Sequence, residues 1–199
     1  MKRVLFFAAA MLFVATFVGC SPSANIDIGS NTGNDVRNTP SSVAQTSAPK
    51  QETVGTRKNP AKLNETVRVE LNSILNKGIA EVSLIEVIRG DEAAKMVEDA
   101  NMFNEPAPEG KEYILAKFHI TFVQDKSGND EPLSVNYLDF CYASSTFSLN
   151  DDISLVVVND KLDLKLYEGA SGEGYVLLIA DKDDAGYAVF NDNIWFALS

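Results

Sequence analysis

Residues 114–122, ILAKFHITF, decide the fold class of this chain of 199 residues. Apolar side chains occupy every second position of the stretch, and Lys117, His119 and Thr121 stand between the last four of them. Successive residues of a strand point to opposite faces of a sheet, so this alternation gathers the apolar residues on one face. The pattern predicts a β-strand with one buried and one solvated face.

The same alternation extends over most of the chain after residue 60. Residues 67–71 and 162–166 alternate between apolar and polar in this way. Further strand-like runs, separated by turn signals rich in Gly, Asn and Asp, span residues 78–88, 134–143, 145–149, 153–158, 174–180, 187–190 and 194–198. Many short strands with this alternation predict a mainly β protein, built as an antiparallel sandwich of two sheets.

One stretch has a helical period instead. Its apolar residues share one side of a helix: Ala93, Met96, Val97 and Ala100. This spacing predicts one short helix near residues 91–102, with Asp91 as its N-cap and with Pro106 beyond its end. We expect the helix to lie across a sheet and to bury its Met96 and Val97 side.

The N-terminal segment has the pattern of an export signal. Lys2 and Arg3 precede the uncharged apolar run Val4–Val18, whose 15 residues fall short of the roughly 20 that a membrane-spanning helix needs. The run ends at Phe17-Val18-Gly19-Cys20, which resembles the bacterial lipobox. The resemblance implies a signal peptide over 1–19, cleavage between Gly19 and Cys20, and a lipid on the Cys20 sulfur. The alternative is an uncleaved anchor helix that buries this cysteine.

Composition divides the remaining chain into a tether and one domain. Residues 21–60 contain 25 Ser, Thr, Asn, Gln, Gly or Pro among 40 and no aromatic residue, so we expect residues 20–60 to form a disordered tether. Residues 61–199 have the length and apolar content of a single domain. Loss of the signal peptide takes the formal net charge from −11 to −13, which disfavours nucleic acid and anionic lipid surfaces as partners.

Several motifs of the folded part resemble one family of bacterial surface lipoproteins. They are 101–113, Glu168-Gly169, Glu173-Gly174-Tyr175, 182–184 and Trp195-Phe196. The family has a domain of unknown function, is sometimes titled misleadingly after telomeric repeat-binding factor 2, and is similar to mycobacterial immunoprotective extracellular antigens. The resemblance implies an immunoglobulin-like β-sandwich over residues 61–199. It implies no catalytic residue.

The residues that nucleophilic catalysis requires are scarce. His119 is the only histidine, and the alternation of its strand places it toward solvent, which is typical of an ordinary surface side chain. Cys141 lies among aromatic neighbours, which favours a small buried side chain over a reactive thiol. We therefore expect no catalytic residue and no cofactor.

Two acidic segments are the remaining candidates for chemistry. In the loop 181–192, Asp181, Asp183 and Asp192 have the spacing of the first, third and twelfth positions of a calcium loop, although strand-like flanks favour a plain hairpin turn. The pair Asp151-Asp152 has the same ambiguity. Glu168 and Glu173 bracket a Gly-rich turn and could act as paired carboxylates in sugar hydrolysis, if their separation allowed it.

These observations favour a lipid-anchored protein on the extracytoplasmic face of a bacterial membrane, acting as a non-catalytic binding or interaction module. The membrane, reached through Cys20, and an envelope protein or a glycan are its expected partners. The alternatives are an envelope hydrolase that acts on a glycan or cell-wall substrate through acidic residues, and a calcium-stabilised structural domain.

Overall fold

The computed structural model describes residues 53–73, 76–150 and 156–199. The predicted signal peptide, the cleavage and lipid sites at Gly19 and Cys20, residues 20–52 of the tether and Asp151-Asp152 lie outside these ranges.

Ten strands and one helix form within the described ranges. They are β1 (Thr66–Asn72), β2 (Lys77–Arg89), α1 (Gly90–Ala100), β3 (Lys111–Asp125), β4 (Leu133–Asn136), β5 (Phe140–Ala143), β6 (Leu149–Asn150), β7 (Asp163–Leu166), β8 (Ser171–Asp181), β9 (Tyr187–Phe190) and β10 (Ile194–Ala197). A single 3-10 turn, Tyr137–Asp139, separates β4 from β5. The predicted mainly β class and the predicted helix are confirmed.

The strands form two four-stranded sheets and a strand pair. The first sheet has the order β1-β2-β3-β8, the second β10-β9-β5-β6, and β4 pairs with β7. Every pairing between these strands is antiparallel, as the sequence predicted.

The main core lies between the two four-stranded sheets. Inward-facing residues of β1, β2, β3 and β8 contact those of β5, β9 and β10. Phe118 is fully buried, and its ring centroid lies 4.4 Å from that of Phe140 and 5.2 Å from that of Phe196. These aromatic contacts join the two sheets as a sandwich.

The outer face of the first sheet is also covered over part of its length. Leu115, which alternation placed on the solvated face, is fully buried, because Ala93 and Val97 of α1 pack against it together with Tyr113. The alternation of apolar and polar residues predicts the face of the sheet on which a side chain lies, but it does not predict whether another element covers that face.

Four local predictions differ from the structure. Residues 153–155 of the run 153–158 lie outside the described ranges, and its described residues, 156–158, belong to no strand. Residues 134–143 do not form one strand, because Asn136 and Asp139 cap the 3-10 turn between β4 and β5. The run 145–149 contributes only its last residue to a strand. Asp91 is not the N-cap of α1, since Arg89 occupies that position and Asp91 lies in the first turn.

Residues 53–60, which the sequence places in the tether, contact the second sheet. The Trp195 amide donates to the Gly55 carbonyl at 2.9 Å, and Ala61 pairs with Phe196 in a parallel bridge. The Arg57 guanidinium lies 5.2 Å from the centroid of the Phe147 ring. Within the described ranges, no helix has the length and hydrophobicity that a membrane crossing requires.

Candidate interaction surface

The loop that follows α1 exposes two large apolar side chains. Met102 and Phe103 are each 83% exposed, more than any other large apolar residue among those described. We call these two residues the apolar tip. Single exposed apolar residues are ordinary on a protein surface, but two adjacent ones at this exposure are a candidate contact surface.

Asparagine side chains hold the apolar tip in place. The Asn101 side-chain oxygen accepts a hydrogen bond from the Phe103 amide at 3.0 Å. The Asn104 side chain donates to the Val97 carbonyl at 2.6 Å and to the Val157 carbonyl at 2.8 Å, and it accepts from the Val157 amide at 2.9 Å. These bonds join the loop to the end of α1 and to a distant segment of the chain, so the tip is displayed on a fixed base.

A groove of about 550 Å³ runs beside the apolar tip, between α1 and residues 104–106. We call it the α1 groove. Val97 and Tyr113 are its buried residues, and Asp91, Glu98 and Glu105 line it as well. The groove therefore combines an apolar floor with an acidic rim.

Two polar groups of the α1 groove already have partners. The Tyr113 hydroxyl donates to the Glu105 carbonyl at 2.9 Å, and burial raises its pKa, so it stays a neutral donor. Lys95 pairs with Asp99 at 2.8 Å one turn along the helix. The other carboxylates give the rim a net negative charge.

A buried ion pair fixes the start of α1. Arg89 donates to the Glu112 carboxylate at 2.7 Å and to the Asp184 carbonyl at 2.7 Å. The same carboxylate accepts the Gly90 amide at 3.1 Å and the Asp183 amide at 3.0 Å. Glu112 thus ties together β2, α1, β3 and the loop after β8.

The electrostatics of this ion pair keep Glu112 charged. Burial acts to raise its pKa, but the bonds from Arg89, Asp183 and Gly90 outweigh burial and hold the pKa below its usual range. A charged carboxylate that accepts three hydrogen bonds is a structural anchor, and its pKa moves away from the range that an acid–base catalyst needs at neutral pH.

A second polar contact lies on the same loop. The Tyr142 hydroxyl donates to the Asp184 carboxylate at 2.5 Å, and the Ser145 amide donates to the same oxygen at 3.0 Å. Hydrogen bonds from Ser145 and Tyr142 lower the pKa of Asp184, while burial raises the pKa of Tyr142. Both groups therefore hold their ordinary charge states at neutral pH.

The three candidate calcium ligands do not lie together in the structure. Asp181 ends β8 and pairs with Lys111 at 2.6 Å, Asp183 follows in the turn, and Asp192 lies in the separate turn between β9 and β10. The flanks are strands, as the sequence indicated. In the part of the chain that the structure describes, no three His, Cys, Asp or Glu side chains form a group that could hold a metal ion.

The two glutamates of the Gly-rich turn lie far apart. The Glu168 carboxylate accepts the Asp125 amide at 2.9 Å, whereas Glu173 lies opposite His119 and pairs with Lys117 at 2.5 Å. Positions 119 and 125 of β3 are about 20 Å apart at the usual rise of a strand. Retaining and inverting glycosidases need carboxyl groups within about 5–9.5 Å, so this pair does not fit that chemistry.

The strand register places a serine, the histidine and a glutamate side by side, which the sequence alone did not indicate. Ser83 is opposite His119 on β3, and His119 is opposite Glu173 on β8. The Ser83 hydroxyl, however, bonds to the Thr66 hydroxyl at 2.8 Å, and Glu173 bonds to Lys117. The backbone amides of an antiparallel sheet lie in the plane of its ladders, so they do not form an oxyanion hole above its face.

The Cys141 side chain is half-buried, not fully buried as the sequence suggested, and packs against Val189 and Trp195. It also borders a cavity of about 230 Å³ between β5 and β8. Asn150 and Val156 line that cavity, and residues 151–155 between them lie outside the described ranges, so we assign it no site.

Taken together, these elements define a β-sandwich domain with an apolar tip, an acidic groove and no assembled catalytic group among its described residues. Comparison with protein-family models gives no match, and comparison with curated proteins gives none either. Among solved structures the chain is similar to a putative lipoprotein (ycdA) from Bacillus subtilis, with 14% identity and a TM-score of 0.39. The similarity covers 59% of this chain and 33% of that one, and it does not assign this chain to a family.

Proposed function

We propose that this protein is a lipid-anchored, non-catalytic interaction module of the bacterial cell envelope, and that it binds a protein partner through the apolar tip and the α1 groove. The observation that carries the proposal is the pair Met102 and Phe103, 83% exposed on a loop that Asn104 holds in place. Because hydrogen bonds hold the backbone of this loop, binding would not have to order the loop itself, which favours these two side chains as interface anchors.

The apolar tip is large enough to dominate an interface. Full burial of a Met or Phe side chain is worth roughly 1.5–3 kcal/mol, so the pair would supply about 3–6 kcal/mol. At 1.4 kcal/mol per tenfold change, this corresponds to about two to four orders of magnitude in Kd.

The charges around the tip indicate the chemistry of the partner. Asp91, Glu98 and Glu105 surround the apolar floor of the α1 groove. A complementary surface would offer an apolar pocket with Lys or Arg at its edge, and its association would weaken with salt. The same carboxylates oppose insertion of the tip into an anionic lipid surface.

The anchor supports the location of this function. Phe17-Val18-Gly19-Cys20 resembles a lipobox, and a diacylated cysteine holds a protein on a membrane more firmly than a single acyl chain does. The tether would then let the domain reach partners in its neighbourhood. Residues 20–52 precede the part that contacts the second sheet, and at about 5–6 Å times the square root of their number they would span roughly 30 Å.

The experiment uses the full-length chain, crosslinked in cells and captured for mass spectrometry. Met102→Ser/Phe103→Ser removes the tip, and Leu138→Ser/Tyr167→Ser is the matched control, since these two side chains are also more than half exposed. Cys20→Ala tests the anchor. We expect a salt-sensitive protein partner that wild type and the control capture and that the tip variant loses.

The proposal is wrong if the tip variant captures the same proteins as the control. Capture of glycan fragments in place of protein, unaffected by the tip variant, would instead favour a glycan-binding module. Hydrolysis of a cell-wall substrate by the purified chain would favour the envelope hydrolase.

A further inference from the structure

We propose that two copies of this chain pair through strand β1, antiparallel and with Val69 on the two-fold axis, so that their first sheets become one eight-stranded sheet. β1 is the first strand in the order β1-β2-β3-β8 and therefore an edge strand. Within the described ranges its only strand partner is β2, and an edge strand presents a row of backbone groups to a further strand.

The two faces of β1 are sharply divided. Val67, Val69 and Leu71 are buried toward the core, whereas Thr66, Arg68, Glu70 and Asn72 are exposed. A partner strand must keep this division, because a slip of one residue turns its apolar side chains to the solvent face. Only registers that differ by two residues are therefore in competition.

One of these registers matches the side chains on both faces. With Val69 opposite its own copy, Arg68 of each chain lies opposite Glu70 of the other, and Thr66 lies opposite Asn72. On the core face, Val67 then lies opposite Leu71. Opposite charges directly across an antiparallel pair are stabilising, and the symmetry provides the Arg68–Glu70 pair twice.

The neighbouring registers are disfavoured by charge. A shift of two residues one way puts Arg68 opposite Arg68, and a shift the other way puts Glu70 opposite Glu70. Like charges directly opposite are destabilising, so the sequence of β1 selects the single register centred on Val69.

The two charged residues of β1 each have an ion-pair partner within their own chain. Arg68 bonds to Glu81 on β2 at 2.9 Å, and Glu70 bonds to Lys126 at 2.7 Å. In the paired form Arg68 and Glu70 would join these two ion pairs into a chain of alternating charge across both copies.

Pairing along seven residues is a small contact, below the roughly 1,200 Å² that a stable interface usually buries. We therefore expect pairing to be weak in dilute solution and stronger where chains share a membrane surface. The latter expectation rests on the proposed lipid anchor. The register itself rests on β1 alone, so it can fail or hold independently of the proposed function.

The test uses full-length chains with a Cys141→Ser background, reconstituted in lipid vesicles. An antiparallel pair places opposed Cα atoms about 4.5–5.5 Å apart, which suits a disulfide. Chains carrying Arg68→Cys mixed with chains carrying Glu70→Cys should crosslink at least about tenfold more than either variant alone. Equal crosslinking yields in the mixture and in the two single variants, or no crosslink in any of the three samples, would overturn the proposal.

A charge exchange provides the second test, read as energy transfer between labelled chains. Arg68→Glu or Glu70→Arg alone should weaken pairing by about tenfold or more, and the double exchange should restore it to within about twofold. Glu81→Gln and Lys126→Gln are the controls, because they break the same intramolecular pairs and leave the edge charges intact. Equal weakening by the controls, or no restoration in the double variant, would contradict the proposed register.

The same energy-transfer measurement on the Cys20→Ala chain in concentrated solution separates the proposed β1 pairing from the proposed lipid-anchored function. Charge-dependent pairing there supports the β1 register whether or not the chain is lipidated. Absence of pairing both there and on vesicles would overturn it.

Discussion

Replacing Glu112 by Ala should destabilise the domain more than replacing any other described carboxylate by Ala, because Glu112 is the carboxylate that the described part of the fold buries. The Glu112 side chain is 10% exposed and Arg89 is 24% exposed, so the pair is largely removed from water. The variant would leave the Arg89 charge with the Asp184 carbonyl alone, and it would leave the Gly90 and Asp183 amides without their acceptor.

The magnitude follows from these contacts. Removing one member of a buried ion pair costs about 3–5 kcal/mol, and the partial exposure of Arg89 reduces this to about 2–4 kcal/mol. For a domain of this size, 1 kcal/mol corresponds to about 2–4 °C, so Tm should fall by about 5–15 °C. Thermal unfolding followed by circular dichroism measures this shift.

Glu173→Ala is the matched control. Glu173 also forms an ion pair across the β3–β8 region, with Lys117, but its side chain is 49% exposed. Exposed pairs contribute little to stability, so Tm should stay close to that of the wild type. Equal shifts for Glu112→Ala and Glu173→Ala would refute the view that Glu112 is the buried anchor of α1.

Four further predictions follow from the same contacts. The folded state lowers the pKa of Glu112, so its contribution to the free energy of unfolding is present above the unfolded-state pKa and is lost as pH falls through the folded-state pKa. The difference in the free energy of unfolding between wild type and Glu112→Gln, measured by denaturant titration, should therefore shrink from pH 7 to pH 3. Gly186→Ala should lower Tm by several degrees, since a Cβ would meet the Tyr142 hydroxyl and the Ala143 carbonyl, whereas Gly172→Ala would meet only a movable Leu side chain and should cost less. Phe147→Ala should increase tryptic cleavage after Arg57, because it removes the ring that lies under the guanidinium, and Tyr167→Ala should not. Calcium and a chelator should give Tm values within about 1 °C of each other, and a larger difference would restore the calcium-stabilised alternative.

The sequence predicts the sheets well because their signal is local. Alternation along 114–122 reports which side chains share a face, and the structure buries Phe118 and Ile120 while leaving His119 half-exposed. The alternation could not predict that α1 covers Leu115, because the burial of Leu115 depends on where the helix packs.

The candidate surface could not be predicted from the sequence, because the residues that form its contacts are far apart along the chain. Asn104 bonds to Val157, 53 residues away, and no sequence pattern near Met102 or Phe103 predicts that hydrogen bonds hold their loop in place. Likewise, Ser83, His119 and Glu173 lie side by side only through the registers of three strands. The acidic loop shows the limit of spacing as a signal: Asp181, Asp183 and Asp192 have the spacing of calcium ligands, but the strand-like flanks favoured a hairpin turn, and the flanks are strands in the structure.

The central claim is that the apolar tip contacts a protein partner in the envelope. The most direct measurement places a photo-crosslinking amino acid at position 103 of the full-length chain in living cells, with position 167 as the exposed control site. The account predicts one dominant protein adduct at position 103, absent at position 167 and weakened when Glu98 and Glu105 are replaced by Gln. The same adducts at both positions, or no protein adduct at position 103, would contradict it.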